Sequence, residues 1–187
     1  MNMFKNSFLL CVIIFFIAGV SAESVFSQNG GGAFEKSRID RQIRKEIMTL
    51  TYYGVFDAIG YSLTGDTVTL NGYVTHPTTK KDAEESVSDV AGVGRVVNNI
   101  EVLPNSPSDD RLRQRILQTF VRRGGGLYRY FMGTNPPVRI IVNRGRVSLE
   151  GYADTRGDSN TMYILARGVP GSFAVKNNLK VLKDMPQ

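Results

Sequence analysis

The chain has 187 residues, a formal charge of +6, one Cys, one His and no Trp, and 42% of it is hydrophobic. That hydrophobic share excludes a wholly disordered chain, and the length points to one or two domains. With a single His and a single Cys, no Ser-His or Cys-His catalytic arrangement and no thiolate metal site can be assembled from recognisable spacing.

Lys5 is the only charge before Glu23, and Phe8 to Val20 is an apolar run of 13 residues. A bilayer-spanning helix needs about 20 such residues. Val20-Ser21-Ala22 then supplies small residues, so the pattern predicts a secretory signal peptide over 1–22, cleaved after Ala22. Cys11 sits near the start of the apolar run, without the small residues that precede a lipidated Cys, and reads as one more hydrophobic residue of the signal. The exported chain would then hold no Cys and no disulfide. Residues 23–36, which include Asn29-Gly30-Gly31-Gly32, have no apolar period and read as a flexible leader.

A helix is expected from an N-cap at Ser37, with Ile39, Ile43, Ile47 and Leu50 at helical spacing. Ile59, Tyr61 and Leu63 alternate as a strand, and Thr64-Gly65-Asp66 makes a tight turn into Val68, Leu70 and Gly72. A second helix over about 77–91 precedes a strand near 95–103. Gly92 fits the C-cap of that helix, where positive φ is wanted. Residues 105–107, within Pro104-Asn105-Ser106-Pro107, read as a linker.

The same order then recurs. A helix from Ser108 carries Leu112, Ile116 and Phe120; Val138, Ile140 and Val142 alternate; Asn143-Arg144-Gly145 turns into Val147, Leu149 and Gly151. A helix over about 156–169, capped by Gly171, and a strand near 174–182 complete it. VTLNGYV from Val68 matches VSLEGYA from Val147 at an offset of 79, and 68–103 aligns with 147–182 at eleven identical positions. Ahead of that block the offset is 73, so the second copy holds 79 − 73 = 6 extra residues between its first helix and first strand. The expectation is an α+β protein of two tandem α-β-β-α-β domains, 37–104 and 108–187. Each has a three-stranded mixed sheet with two helices on one face and a right-handed crossover. Gly72 and Gly151 fall on the helix side by alternation, where a missing side chain lets a helix approach. Domains this small bury little surface alone, which predicts packing of one copy on the other.

Charge divides the copies. Residues 38–104 carry 7 basic and 9 acidic side chains, net −2, whereas 105–187 carry 14 basic and 6 acidic, net +8. Eleven of those 14 are Arg.

The VTLNGYV/VSLEGYA strands, the helices after them and the GVGRVVNNIEV/GSFAVKNNLKV endings resemble the BON domain, over roughly 37–104 and 108–183. The resemblance implies an exported, periplasmic or outer-membrane-associated binding protein, with no common catalytic residues and no cofactor. It also implies phospholipid as the ligand, and places lipid contact in a two-copy group on the first helix of the second copy, here 109–122. The second copy departs from the pattern at Gly157-Asp158 and in its long first loop.

The residues themselves offer little chemistry. His76 precedes Pro77 at a helix start. Glu84-Glu85 and Asp109-Asp110 are helix neighbours that point apart and suit solvation and dipole complementation. Gly30-Gly31-Gly32 and Gly124-Gly125-Gly126 lack the context of a phosphate loop. Arg156-Gly157-Asp158 is explained by Thr155 as N-cap. More distinctive is the Arg-rich helix with Arg111, Arg113, Arg115, Arg122 and Arg123, followed by Leu127-Tyr128-Arg129-Tyr130-Phe131-Met132 at the insertion. Arg111, Arg115, Arg122, Arg123 and Arg129 suit lipid phosphate, and Tyr128, Tyr130 and Phe131 suit the membrane interface. The competing expectation buries the aromatic run against a sheet edge or the other copy. Tyr52-Tyr53-Gly54-Val55-Phe56 is a smaller version in the first copy. The basic charge also fits nucleic acid, but the export signal argues against that partner. The expected partner is an anionic phospholipid surface, with an acidic envelope protein as the alternative; no metal is expected.

Overall fold

The computed structural model describes residues 29–184; the expected signal peptide and residues 23–28 of the leader lie outside them. The first copy begins with α1, Asn29–Met48, whose Ile39, Ile43 and Ile47 are buried along one face. The helix does not start at Ser37. Ala33, Phe34, Glu35 and Lys36 extend it toward the N-terminus, Glu35 pairs with Arg38 at 2.6 Å, and Arg38 also donates to the Ala91 carbonyl at 2.9 Å. Residues 29–36 are therefore helix rather than leader.

β1 (Ala58–Thr64) and β2 (Thr67–Val74) form an antiparallel hairpin. α2 (Pro77–Ser88) crosses back to β3 (Arg95–Val102), which pairs parallel to β2. The second copy repeats this with α3 (Pro107–Arg123), β4 (Val138–Asn143), β5 (Arg146–Ala153) and α4 (Arg156–Arg167). Its last strand is broken into β6 (Ala174–Asn177) and β7 (Lys180–Val181), both parallel to β5. Sheet one therefore has three strands and sheet two has four. The inserted residues form a 3₁₀ helix, Gly125–Tyr130.

Two sequence expectations shift at the start of α3. The N-cap is Ser106, not Ser108: the Ser106 hydroxyl accepts from the Asp109 amide at 3.3 Å. Pro107, expected in the linker, opens the helix at a position that needs no N–H. Asp109 does more than complement the dipole. Its buried carboxylate accepts from the amides of Arg144 at 2.7 Å and Gly145 at 2.9 Å, fastening the β4–β5 turn to the helix.

The repeated glycines hold positive φ, but for other reasons than expected. Gly72 (φ 131°) and Gly151 (φ 101°) adjoin a neighbouring strand rather than a helix: a Cβ would lie 2.0 Å from the carbonyl oxygen of Ala58 or Pro137. Gly92 and Gly171, both at φ 97°, lie beyond the helix ends, because α2 is capped by Asp89 and α4 by Gly168. The repeated Asn98 and Asn177 tie last strand to second helix, donating to the Lys80 carbonyl at 2.9 Å and to the Ser159 hydroxyl at 2.9 Å.

Each copy has its own core, Ile43, Leu70 and Ile100 at the centre of one, Ile116, Phe120 and Leu149 at the centre of the other. The copies also pack on each other. Val55 and Phe56 of the first lie against the core of the second, and the Ile140 amide donates to the Val55 carbonyl at 2.8 Å. The smaller aromatic run of the first copy thus covers the β4 edge of the second, which explains why Val138 through Val142 are all buried.

Candidate functional site

α3 presents Arg111, Arg115 and Arg122 on one stripe because they are spaced by 4 and 7 residues, close to one and two turns. The opposite face, Leu112, Ile116 and Phe120, is anchored in the core, so the stripe is held outward. Arg115, Arg122 and Arg123, with Gln118 and Thr119, form one wall of a groove of about 360 Å³. The other wall is Ile164, Leu165, Gly168, Val169 and Pro170 of α4 and the loop after it. The groove combines three guanidinium groups with an apolar wall, and none of the three is in an ion pair among the described residues. Ile164 is 66% exposed on the rim, and Phe173, two residues past Gly171, is 83% exposed. Both are large apolar groups held in solvent. Arg115 reaches toward that same loop, its Nη2 lying 3.2 Å from where a Gly171 Cβ would stand.

The inserted aromatic run divides. Tyr130 and Phe131 are buried, which corrects their expected place at an interface. Phe131 stacks on Phe120 with ring centroids 5.3 Å apart. The Tyr130 hydroxyl donates to Asp158 at 2.8 Å and accepts from the Asp154 amide at 2.9 Å, and burial pushes its pKa up to about 12. Leu127 is buried as well, while Tyr128 and Met132 stay exposed and do not line the groove. Arg129 is engaged within the chain, bound to Asp158 at 2.8 Å and Asp154 at 3.4 Å. Burial alone opposes charge on Asp158, but hydrogen bonds from Thr155 and Tyr130 and the Arg129 guanidinium outweigh it and hold its carboxyl below the usual range. The Arg-Gly-Asp tripeptide therefore has its carboxylate occupied, as the N-cap account requires. The expected site residues thus reduce to Arg111, Arg115, Arg122 and Arg123, with exposed Tyr128 apart from them.

Sequence reasoning missed Ile164 and Leu165 in the groove wall, and Phe173, which is exposed outside the groove beside Gly145. Their signal was in the repeat: at the offset of 79 they replace Glu85, Ser86 and Gly94. The corresponding groove of the first copy, about 240 Å³, is lined by Glu46, Thr49, Leu50, Thr51, Asp82, Glu85 and Ser86. At the offset of 73, Thr49 and Leu50 stand where the second copy has Arg122 and Arg123, and Glu46 where it has Thr119. One backbone plan therefore carries an acidic groove in the first copy and a basic, apolar-walled groove in the second.

A larger cleft of about 550 Å³ lies between the copies, lined by Phe56, His76, Pro104, Asp110, Arg113 and Gln114 among others. Its charges cancel locally. Buried Arg113 pairs with Asp110 and donates to the Val142 carbonyl at 2.7 Å. His76 is the uncapped N-cap of α2, tilted against Tyr52 at 5.8 Å. No group of three His, Cys, Asp or Glu side chains among the described residues is arranged to hold a metal ion.

The BON domain description matches residues 58–104, the first copy from β1 onward, and 108–183, the second copy. The chain belongs to the BON-domain family. BON domains are non-enzymatic binding modules, and BON proteins typically belong to the bacterial envelope. Two solved structures of CdsD, a structural protein of the type III secretion system of Chlamydia trachomatis, are similar to this BON protein at low level. One is 12% identical with a TM-score of 0.31, covering 78% of this chain and 92% of that one. The other, its C-terminal domain, is 13% identical with a TM-score of 0.31, covering 76% and 96%. Likeness at this level carries no functional weight. No curated protein sequence matches the chain. No helix among the described residues is long and apolar enough to cross a membrane.

Proposed function

We propose that this BON protein is exported to the periplasm and binds anionic phospholipid membranes peripherally through the α3–α4 groove of its second copy. The observation that supports this most is the chemistry of that groove: Arg115, Arg122 and Arg123 opposite Ile164 and Leu165, where the first copy carries Glu46, Asp82 and Glu85. Guanidinium groups pair with lipid phosphate, and exposed Ile164 and Phe173 are of the kind that enters the headgroup–acyl boundary. The test is co-sedimentation of residues 23–187 with vesicles of graded anionic lipid content. Binding that rises with the anionic fraction and falls with salt is expected; no binding at any composition overturns the reading.

The alternative is an acidic protein partner from the envelope on the same Arg surface. It is favoured by Gln118 and Thr119, which put directional hydrogen-bonding groups between the arginines. Export itself is checked by N-terminal sequencing of the cellular protein: Glu23 is the expected first residue, and an intact Met1 contradicts it.

A further inference from the structure

The two grooves of one molecule are built on the same helix pair and carry opposite charge. Glu46, Asp82 and Glu85 line the α1–α2 groove, and Arg115, Arg122 and Arg123 line the α3–α4 groove. Three acidic groups thus face outward from one copy and three basic groups from the other. The acidic set is only weakly engaged. Glu46 accepts from its helix neighbour Gln42, and Glu85 meets Lys81 at 3.4 Å with both side chains well exposed, a pairing worth little and readily exchanged. The copies are locked in one relative orientation by the Arg139–Gly54 and Ile140–Val55 hydrogen bonds, so the two grooves cannot fold onto one another within a chain that keeps this packing. They can meet only between chains.

We propose that the α3–α4 groove of one molecule docks on the α1–α2 groove of a second copy, giving head-to-tail self-association. Like grooves repel, so the contact is heterologous: each docking leaves one acidic and one basic groove free, and the assembly grows as an open chain or closes as a ring. Both grooves lie between the first and second helices of their copy, whose buried faces correspond, Ile39, Ile43 and Ile47 in α1 with Leu112, Ile116 and Phe120 in α3. This goes beyond the lipid reading and shares its arginines, which makes membrane and second copy competitors for one surface.

The experiment is sedimentation velocity on residues 23–187 and on two charge-reversed variants. One carries Glu46→Lys, Asp82→Lys and Glu85→Lys; the other carries Arg115→Glu, Arg122→Glu and Arg123→Glu. At low salt the natural chain should gain mass with concentration and return to monomer at high salt, where exposed charges are screened within a few ångströms. Each variant alone should stay monomeric. Mixed one to one, the two variants present opposite charges at both grooves, natural at one contact and exchanged at the other, so the mixture should associate again. Circular dichroism confirms folding, and a reversed set that unfolds is replaced by its neutral counterpart, Glu46→Gln, Asp82→Asn and Glu85→Gln or Arg115→Gln, Arg122→Gln and Arg123→Gln, which should weaken assembly without abolishing it. A natural chain that is monomeric at every low-salt concentration overturns the proposal, as does a mixture that fails to associate. Vesicle binding separates the two readings: the acid-reversed variant should keep it and the base-reversed variant should lose it. If that pattern holds while the natural chain stays monomeric, self-association falls and the lipid reading stands.

Discussion

Arg139 of β4 donates a 2.7 Å hydrogen bond to the Gly54 carbonyl and stands 4.4 Å from the centre of the Tyr53 ring, joining the second copy to the first through a buried cation. Burial pulls its pKa below the ordinary arginine value, with Tyr53 and Asp57 opposing the shift. Asp57 is itself buried and accepts from the Thr75 amide at 2.6 Å and the Gly54 amide at 2.9 Å, so the loop carrying Tyr53 and Gly54 is fixed from behind. Arg139→Ala removes a charge-assisted hydrogen bond and a cation–π contact and should cost about 2 kcal/mol. In urea unfolding the variant should show a lower midpoint, and the transition should broaden as the copies uncouple. An unchanged midpoint would mean that the copies do not stabilise each other through this residue.

Asp109→Ala should detach the β4–β5 turn from α3. Two turn amides lose a charged acceptor in a buried setting, at a cost of about 2–3 kcal/mol. Hydrogen exchange at the Arg144 and Gly145 amides reads this directly: both should be protected in the natural chain and exchange faster in the variant, ahead of the β5 amides.

Phe131→Ala removes a ring stacked in the second core and should destabilise by about 3 kcal/mol. Tyr128→Ser, at a position 53% exposed, should change stability by less than about 0.5 kcal/mol. Thermal melting of the two variants separates core from surface. A Phe131 variant as stable as the natural chain would contradict the packing described.

Alkaline pH should destabilise the protein through two phenols, buried Tyr130 and half-buried Tyr61. Tyr130 and Tyr61 are each pushed up to about 12, both mainly by burial, and the Tyr61 hydroxyl also donates to Asp40 at 2.7 Å. In the unfolded chain a phenol ionises near 10. Between about pH 10 and 12 the unfolded state therefore binds fewer protons, so stability is full below pH 10 and falls as pH rises. Tyr130→Phe and Tyr61→Phe should each reduce the slope of that loss. Phenolate absorbance against pH, with unfolding followed in parallel, is the measurement; an early ionisation of all tyrosines without unfolding would contradict it.

The repeat made much of the fold legible. Because Ile39/Leu112, Val68/Val147 and Asn98/Asn177 recur at fixed offsets, one copy's pattern supported the other's, and strand order and pairing followed. Helix starts were less legible. Ser37 is a good cap residue, but α1 runs on to Asn29, with Glu35 pairing to Arg38 one turn later and Arg38 reaching the Ala91 carbonyl, a tertiary contact that local pattern does not show. Tyr130 and Phe131 have the composition of an interfacial anchor, and only the tertiary partners Phe120 and Asp158 show that they are core. The groove was half legible. Its arginines are visible by charge, whereas Ile164 stands out only when set beside Glu85 in the other copy.

The groove itself is tested most directly by vesicle binding of the chain carrying Arg115→Gln, Arg122→Gln and Arg123→Gln, compared with the natural chain across ionic strength. Each basic side chain near an anionic surface contributes about 1 kcal/mol, so losing three should weaken binding on the order of 100-fold and flatten its salt dependence. An Ile164→Ser, Phe173→Ser variant should instead lose the part of the binding that persists at high salt. If the triple Gln variant is folded and binds anionic vesicles as tightly as the natural chain, the α3–α4 groove is not the membrane surface.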